Sequence, residues 1–260
     1  MSRRRNAILA EMGLAPIWRE RGRNPALQSA QESAPQSTER LPSAPRLGVH
    51  SSSAPTSPVP EGATPAVARE ARIRGMDWRE LKQAVPACTA CALHKGRTQS
   101  VFGVGDENAD WLLVGEAPGA EEDRLGEPFV GQAGKLLDNM LAALGLMRGK
   151  NVYIANVLKC RPPANRNPAP EEVAQCAPHL LRQIALIKPK LILAMGRFAV
   201  QTLLNTEASI SSLRGRVHRY AGVPLVVTYH PAYLLRSLPE KAKAWEDLVF
   251  AKKTIARGDR

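Results

Sequence analysis

The sequence predicts an α/β domain built on a parallel sheet, and three observations carry that expectation. Short apolar runs recur at Trp111–Val114, Val152–Asn156, Leu191–Ala194 and Leu225–Thr228. Each is short enough to be a strand buried on both faces, as a parallel sheet requires. Helical patterns separate them, at Ala133–Leu146, Glu171–Ile187, Arg197–Leu204 and Lys241–Ile255. Stop signals fall at the expected places, since Gly145 closes the first helix and Pro189 follows the second. Strands alternating with helices of this length make βαβ units.

The domain is expected to start near Met76. Asp77 is placed to cap a helix that runs through Leu81 and Val85 and ends at Pro86. Residues 1–75 read as a disordered extension. From Asn24 to Val67 the chain is Pro, Ser, Ala and Gln without apolar periodicity, too little apolar surface to offset its ordering entropy. Inside the extension, Ile8, Leu9, Met12, Leu14, Ile17 and Trp18 give one apolar face to a short helix over 6–19, suited to docking on a partner. The stretch Glu11–Trp18 is similar to the N-terminal peptide of the psi subunit of the bacterial replicative polymerase, which implies a replication or repair protein as that partner.

The whole chain has 260 residues, is 44% hydrophobic and carries a formal charge of +12. A polyanion, nucleic acid first, is the expected partner. The excess is shared: residues 1–75 hold 11 Arg against 6 Glu, and the remainder holds 25 basic against 18 acidic residues. No apolar run approaches the roughly 20 residues of a membrane span. Arg3-Arg4-Arg5 is not followed by the apolar core of a secretory signal. A cytoplasmic, monomeric protein is expected.

One turn organises the chemistry. The run Trp111-Leu112-Leu113 enters Val114-Gly115-Glu116-Ala117-Pro118-Gly119, a strand passing into a Gly/Pro-rich loop with one carboxylate. Open α/β sheets bind ligands at the carboxyl ends of their strands. Gly115 and Gly119 permit close backbone approach, and Pro118 stiffens the loop. The four cysteines, Cys88, Cys91, Cys160 and Cys176, are spaced C-x2-C and C-x15-C with 68 residues between. In a cytoplasmic protein this favours a tetrathiolate metal site over disulfides. Zinc and an iron–sulfur cluster both accept four thiolates, and spacing does not choose between them.

Four segments, in order, carry a resemblance: Gly115–Gly119, Pro128-Phe129-Val130-Gly131-Gln132-Ala133-Gly134, Asn156-Val157-Leu158-Lys159-Cys160-Arg161-Pro162-Pro163 and His230-Pro231-Ala232. With the cysteine spacing, the chain over about residues 76–255 resembles the family 4 uracil-DNA glycosylases. The resemblance implies a three-layer α/β/α sandwich around a four-stranded parallel sheet. It also implies a 4Fe–4S cluster on Cys88, Cys91, Cys160 and Cys176, and excision of uracil from single- or double-stranded DNA.

An extruded uracil needs a stacking face, an edge reader and a group that takes charge on the leaving base. The resemblance gives these roles to Phe129, Asn156 and His230, with Glu116 beside the sugar and Gly115, Ala117 and Pro118 in the pocket wall. Lys159, Arg161, Arg166, Arg214, Arg216 and Arg236 are candidate phosphate contacts, and Leu234 is a candidate wedge into the duplex. Two other readings stand beside this one. One is a superfamily variant that traps the sugar on a histidine, but residues 161–168 contain none. The other is a non-catalytic, metal-stabilised DNA-binding or replication-associated module.

Overall fold

The computed structural model describes residues 65–258. Six strands form one mixed sheet: β1 (Val104–Gly105), β2 (Trp111–Gly115), β3 (Val152–Asn156), β4 (Leu191–Met195), β5 (His218–Tyr220) and β6 (Val223–Thr228). Their order is β1-β3-β2-β4-β6-β5. The four central strands β3, β2, β4 and β6 are parallel and are the four read from the sequence. β1 and β5 add antiparallel edges, which makes the sheet mixed rather than purely parallel. At two and three residues, these edges are too short to show a strand period.

Nine α-helices accompany the sheet among the described residues: α1 (Pro65–Gly75), α2 (Trp78–Ala84), α3 (Ala120–Leu125), α4 (Gln132–Leu144), α5 (Pro170–Ile187), α6 (Arg197–Leu204), α7 (Ile210–Leu213), α8 (Pro231–Leu234) and α9 (Glu240–Gly258). Alternation along the strands sorts the core into two layers. Trp111, Leu113, Ile154, Leu193 and Val226 face α4 and α9 through Leu137, Met140, Leu141, Ala244 and Leu248. Leu112, Val114, Ala155, Ile192 and Val227 face α5 and α6 through Leu180, Ile184, Ala199 and Val200. The three-layer arrangement is the one expected.

Local chemistry sets the element ends. Asp77 and Glu80 form a reciprocal capping box at α2, each side chain accepting the other's backbone N–H at 2.8 Å. Gly145 ends α4 in the left-handed region at φ 77°. No helix among the described residues is long and apolar enough to cross a membrane.

The folded region begins before Met76. α1 buries Ile73, 1% exposed, and Arg69 reaches α5 to donate to the Gln175 carbonyl at 3.0 Å. The Arg/Ala/Ile pattern of Pro65–Gly75 was too short and too charged to separate from the Pro/Ser/Ala stretch before it. The docking helix expected over 6–19 lies outside the described residues. If α1 belongs to the cooperative unit, Ile73→Ala should destabilise the domain by about 2–4 kcal/mol in urea unfolding, because it empties a core site. An unchanged midpoint would place α1 outside that unit.

Candidate active site

The parallel strands bring their carboxyl ends to one edge, and the loops after them enclose a cleft of about 630 Å³. Glu116 to Gly119 follow β2, Asn156 ends β3, Gly196 and Arg197 follow β4, and Tyr229 and His230 follow β6; all line the cleft. The cleft lies where the connection after β2 goes to β3 on one side and the next goes to β4 on the other, a topological switch point. The β2–β3 ladder pairs Gly115 with Asn156 and continues past both ends. Val157 N donates to Gly115 O and Leu158 N to Glu116 O, each at 3.0 Å. Glu116 and Asn156 are thereby fixed relative to each other.

Gly115 is required here by space. A Cβ at this position would overlap Asn156 Oδ1 and lie 2.6 Å from Phe129 Cζ. Its absence lets an amide and an aromatic ring converge on the strand end. Asn156 is 2% exposed, and its Oδ1 has no hydrogen-bond partner among the described residues. A buried acceptor without a donor is costly in an empty protein and suits a ligand N–H.

Phe129 is buried and holds φ at +56°, a left-handed backbone rare for an aromatic residue. Two side chains hold it there. The Arg148 guanidinium donates to the carbonyls of Pro128 and Phe129, both at 2.8 Å. Glu122 accepts from Val130 N at 3.0 Å and Gly131 N at 3.3 Å, and from Gly119 N at 3.1 Å. One carboxylate thus ties the Phe129 turn to the Glu116 loop. Strain held by surrounding contacts is characteristic of functional sites.

His230 lies 5.3 Å from Phe129, ring centroid to centroid, at 28°. Gly196, at φ +90°, leaves room for it, since a Cβ there would be 2.8 Å from His230 Cβ. The His230 Nδ1 accepts the Ala232 backbone N–H at 3.1 Å. A neutral ring must then carry its proton on Nε2. Burial lowers the His230 pKa to about 4, with Glu122 opposing and Arg236 reinforcing that fall, so the ring is neutral at pH 7. Burial raises the Glu116 carboxyl to about 7, and the nearby Arg197 charge limits the rise. The cleft therefore offers a neutral N–H donor and a carboxylate poised to exchange a proton near neutrality.

Behind the Glu116 loop, Cys88, Cys91, Cys160 and Cys176 line one small cavity. Cys91, Cys160 and Cys176 also pack with Leu158 and Ala117, so this cavity supports the wall of the cleft. Three N–H groups are directed at sulfur: Arg97 donates to Cys160 Sγ at 2.9 Å, the Lys159 backbone to Cys176 Sγ at 3.2 Å, and Arg69 to Cys88 Sγ at 3.5 Å. Burial pushes the Cys176 thiol up to about 12 and raises Cys160 as well, which disfavours the thiolate form of these two unless positive charge lies beside them. No group of three or more His, Cys, Asp or Glu side chains among the described residues is arranged to hold a metal ion.

Two of the expected phosphate contacts, Lys159 and Arg214, are committed within the protein. Lys159 is 1% exposed, and its ammonium donates to Asn156 O at 2.9 Å and Gln183 Oε1 at 2.7 Å. It braces the end of β3 from beneath. Arg214 pairs with Asp247 and Glu246, both at 3.0 Å, and the same Asp247 accepts from Thr228 at the end of β6. Arg161 donates to Asn165 Oδ1, and Arg216 is engaged by the Ser212 carbonyl. Arg166 does line the cleft, held by Glu172 at 2.5 Å, and Arg236 lines it too. Leu234, the expected wedge, is 1% exposed and packs in the core beside Leu137 and Leu248. The helical turn of α8 points it inward, and its neighbours Tyr233 and Leu235 are the exposed pair, at 39% and 42%.

The sequence reading missed Glu122, Arg148 and Arg197. The Gly119-x-x-Glu122 spacing of a capping box was the available signal for the first. Arg148 and Arg197 gave none, since their partners are remote in sequence or created by the cleft itself.

The model for the uracil DNA glycosylase superfamily matches residues 102–249. A type-4 uracil-DNA glycosylase of Archaeoglobus fulgidus is 48% identical over 60% of this chain and 82% of its own length. That of Pyrobaculum aerophilum is 42% identical over 66% of this chain and 92% of its own. A type-5 uracil-DNA glycosylase from the same organism is less similar, 32% identical over 50% of this chain and 64% of its own. With the cleft, the turn and the cysteines arranged as described, the chain belongs to the type-4 branch of the uracil-DNA glycosylase superfamily.

Proposed function

We propose that this protein excises uracil from DNA by hydrolysing its N-glycosidic bond, leaving an abasic site in an intact strand. The observation that carries this reading is the buried, unpartnered Asn156 Oδ1 at the base of a cleft walled by Phe129 and His230. An extruded uracil stacks on Phe129, gives its N3–H to Asn156 Oδ1 and accepts from the same amide at O4. Cytosine presents the opposite pattern on that edge, and a bidentate match of this kind discriminates by about 1–3 kcal/mol. Arg166, Arg197 and Arg236 at the cleft hold the flanking phosphates.

As the bond between C1′ and N1 breaks, electrons move onto the base and charge gathers at O2. The neutral His230 donates its Nε2–H to that oxygen without having to surrender a charge. One such donor in a dry pocket is worth about 2.7–4 kcal/mol. The ionised Glu116 faces the cationic sugar, orients the attacking water and accepts its proton. No lysine lines the cleft among the described residues, and Lys159 is committed to Asn156 and Gln183. Among the described residues, the abasic product therefore meets no lysine in the cleft that would cleave the strand. The loop that would carry a covalent histidine borders the cleft with Pro162, Asn165, Arg166 and Asn167 instead.

The four cysteines fit a 4Fe–4S cluster. They line one cavity, and N–H groups of Arg97, Lys159 and Arg69 are aimed at three of the sulfurs, as suits cluster thiolates. When bound, such a cluster supplies charge that keeps the sulfurs as thiolates and pins the segment from Asn156 to Cys176. The protein's own residues do the chemistry in the cleft.

Incubation with a uracil-containing oligonucleotide should give strand scission only after alkali. A protein–DNA adduct would indicate covalent trapping, and intact DNA would indicate a non-catalytic module. Asn156→Ala should lower excision by about ten- to a hundredfold while binding of uracil-free DNA stays unchanged. An unaffected rate would remove Asn156 from base reading.

The pH dependence has a defined sign. Glu116 must be ionised, so kcat/KM should fall about tenfold per pH unit below about 7. His230 stays neutral down to about 4 and adds no limb in that range. Glu116→Gln should lower the rate about a hundredfold and abolish the acid limb. A limb that survives in this variant would belong to another group.

Purified protein should be brown, absorb near about 400 nm and contain iron. A colourless, zinc-loaded protein would overturn the cluster assignment and leave the cleft chemistry standing.

A further inference from the structure

α1 precedes the residues matched by the superfamily model, yet it reaches the cysteine site. Its Arg69 makes three contacts there. The guanidinium donates to Gln175 O at 3.0 Å, to His179 Nε2 at 3.1 Å and to Cys88 Sγ at 3.5 Å. A guanidinium can only donate, so His179 Nε2 accepts and the imidazole is neutral with its proton on Nδ1. That Nδ1 is buried with no partner among the described residues, in a side chain 2% exposed, and His179 lines the same cavity as the four sulfurs. An unused donor at this position is matched by an acceptor such as a cluster sulfide.

A second, larger cavity of about 750 Å³ lies between α1, α2 and the Cys88 loop. Cys88, Ala90 and His179 line both cavities and form the wall between them. Arg69 is bonded to two of these three, which places it where solvent would pass from the outer cavity to the sulfurs.

We propose that α1 guards the cysteine cluster through Arg69, a positioning residue that hydrogen-bonds the Cys88 sulfur, fixes His179 with its proton on Nδ1 and closes the wall against oxidants and chelators. The proposal rests on the cluster assignment made above. Donors and positive charge beside a thiolate stabilise the more reduced cluster, so Arg69 also raises its reduction potential. Uracil excision does not depend on it directly, because Arg69 does not line the cleft.

The test uses the full chain as purified, with Arg69→Met, Arg69→Lys and Arg72→Met. Arg72 shares the helix and the outer cavity, and its side chain is exposed. Cluster loss is followed at about 400 nm in ferricyanide with EDTA, and the potential by film voltammetry. Arg69→Met should bleach about tenfold faster, as loss of an outer hydrogen bond to a metal site typically does, and its potential should fall. Arg69→Lys should be intermediate, and Arg72→Met should match the unsubstituted protein. Freshly purified variants should all excise uracil normally.

Bleaching of Arg69→Met at the unsubstituted rate would overturn the proposal. So would equally fast bleaching of Arg72→Met, which would assign the effect to α1 packing alone. An iron-free unsubstituted protein would bring down the cluster assignment and this inference together, whereas brown protein with identical bleaching brings down only this inference.

Discussion

At the end of β2 the backbone passes within contact distance of both an aromatic ring and a carboxamide, and everything in the cleft is arranged around that crowding. Gly115 has no side chain, so Phe129 and Asn156 occupy the space a Cβ would need. The ladder to β3 runs on for two more hydrogen bonds, which locks Glu116 opposite the residues that follow Asn156. Close packing makes the arrangement unforgiving, because interiors of this density have no slack to absorb an added methyl. Gly134 repeats the device, since a Cβ there would overlap the Phe129 carbonyl.

The cleft separates two titratable groups by environment. Glu116 and His230 both lose water, and desolvation disfavours the charged form of each. The result is a carboxyl that releases its proton near neutrality and an imidazole that does not take one up. The Ala232 backbone N–H adds what burial alone leaves open, namely which nitrogen carries the proton. A neutral donor suits a leaving group that becomes anionic, since nothing in the pocket needs to reorganise as charge develops.

The cysteine cavity and the cleft are two faces of one short segment. Ala117 packs on Cys91, Cys160 and Cys176, and Lys159 is bonded through its ammonium to the Asn156 carbonyl and through its backbone to Cys176. Burial lowers this lysine to about 8, and the sulfurs of Cys176 and Cys160 offset part of the fall. A surface residue by composition, it is a buried strut by structure.

The sequence by itself determined the four parallel strands, the helices between them, and Glu116, Phe129, Asn156 and His230 as side chains of the cleft. Apolar runs with turn chemistry at their ends are local signals, and the strand ends of βαβ units converge whatever lies between them. Only the tertiary structure decided what each charge does. Arg214 and Lys159 looked like phosphate ligands until Asp247 and Gln183, both distant in the chain, were found opposite them. Leu234 and Tyr233 differ by one position, and the turn of α8 decided which faces the core. Glu122, Arg148 and Arg197 gained their roles from loops folded against them, and α1 from the sulfur it reaches. Hydrogen bonds and burial between residues far apart in sequence have no local pattern, and so only the folded chain reveals them.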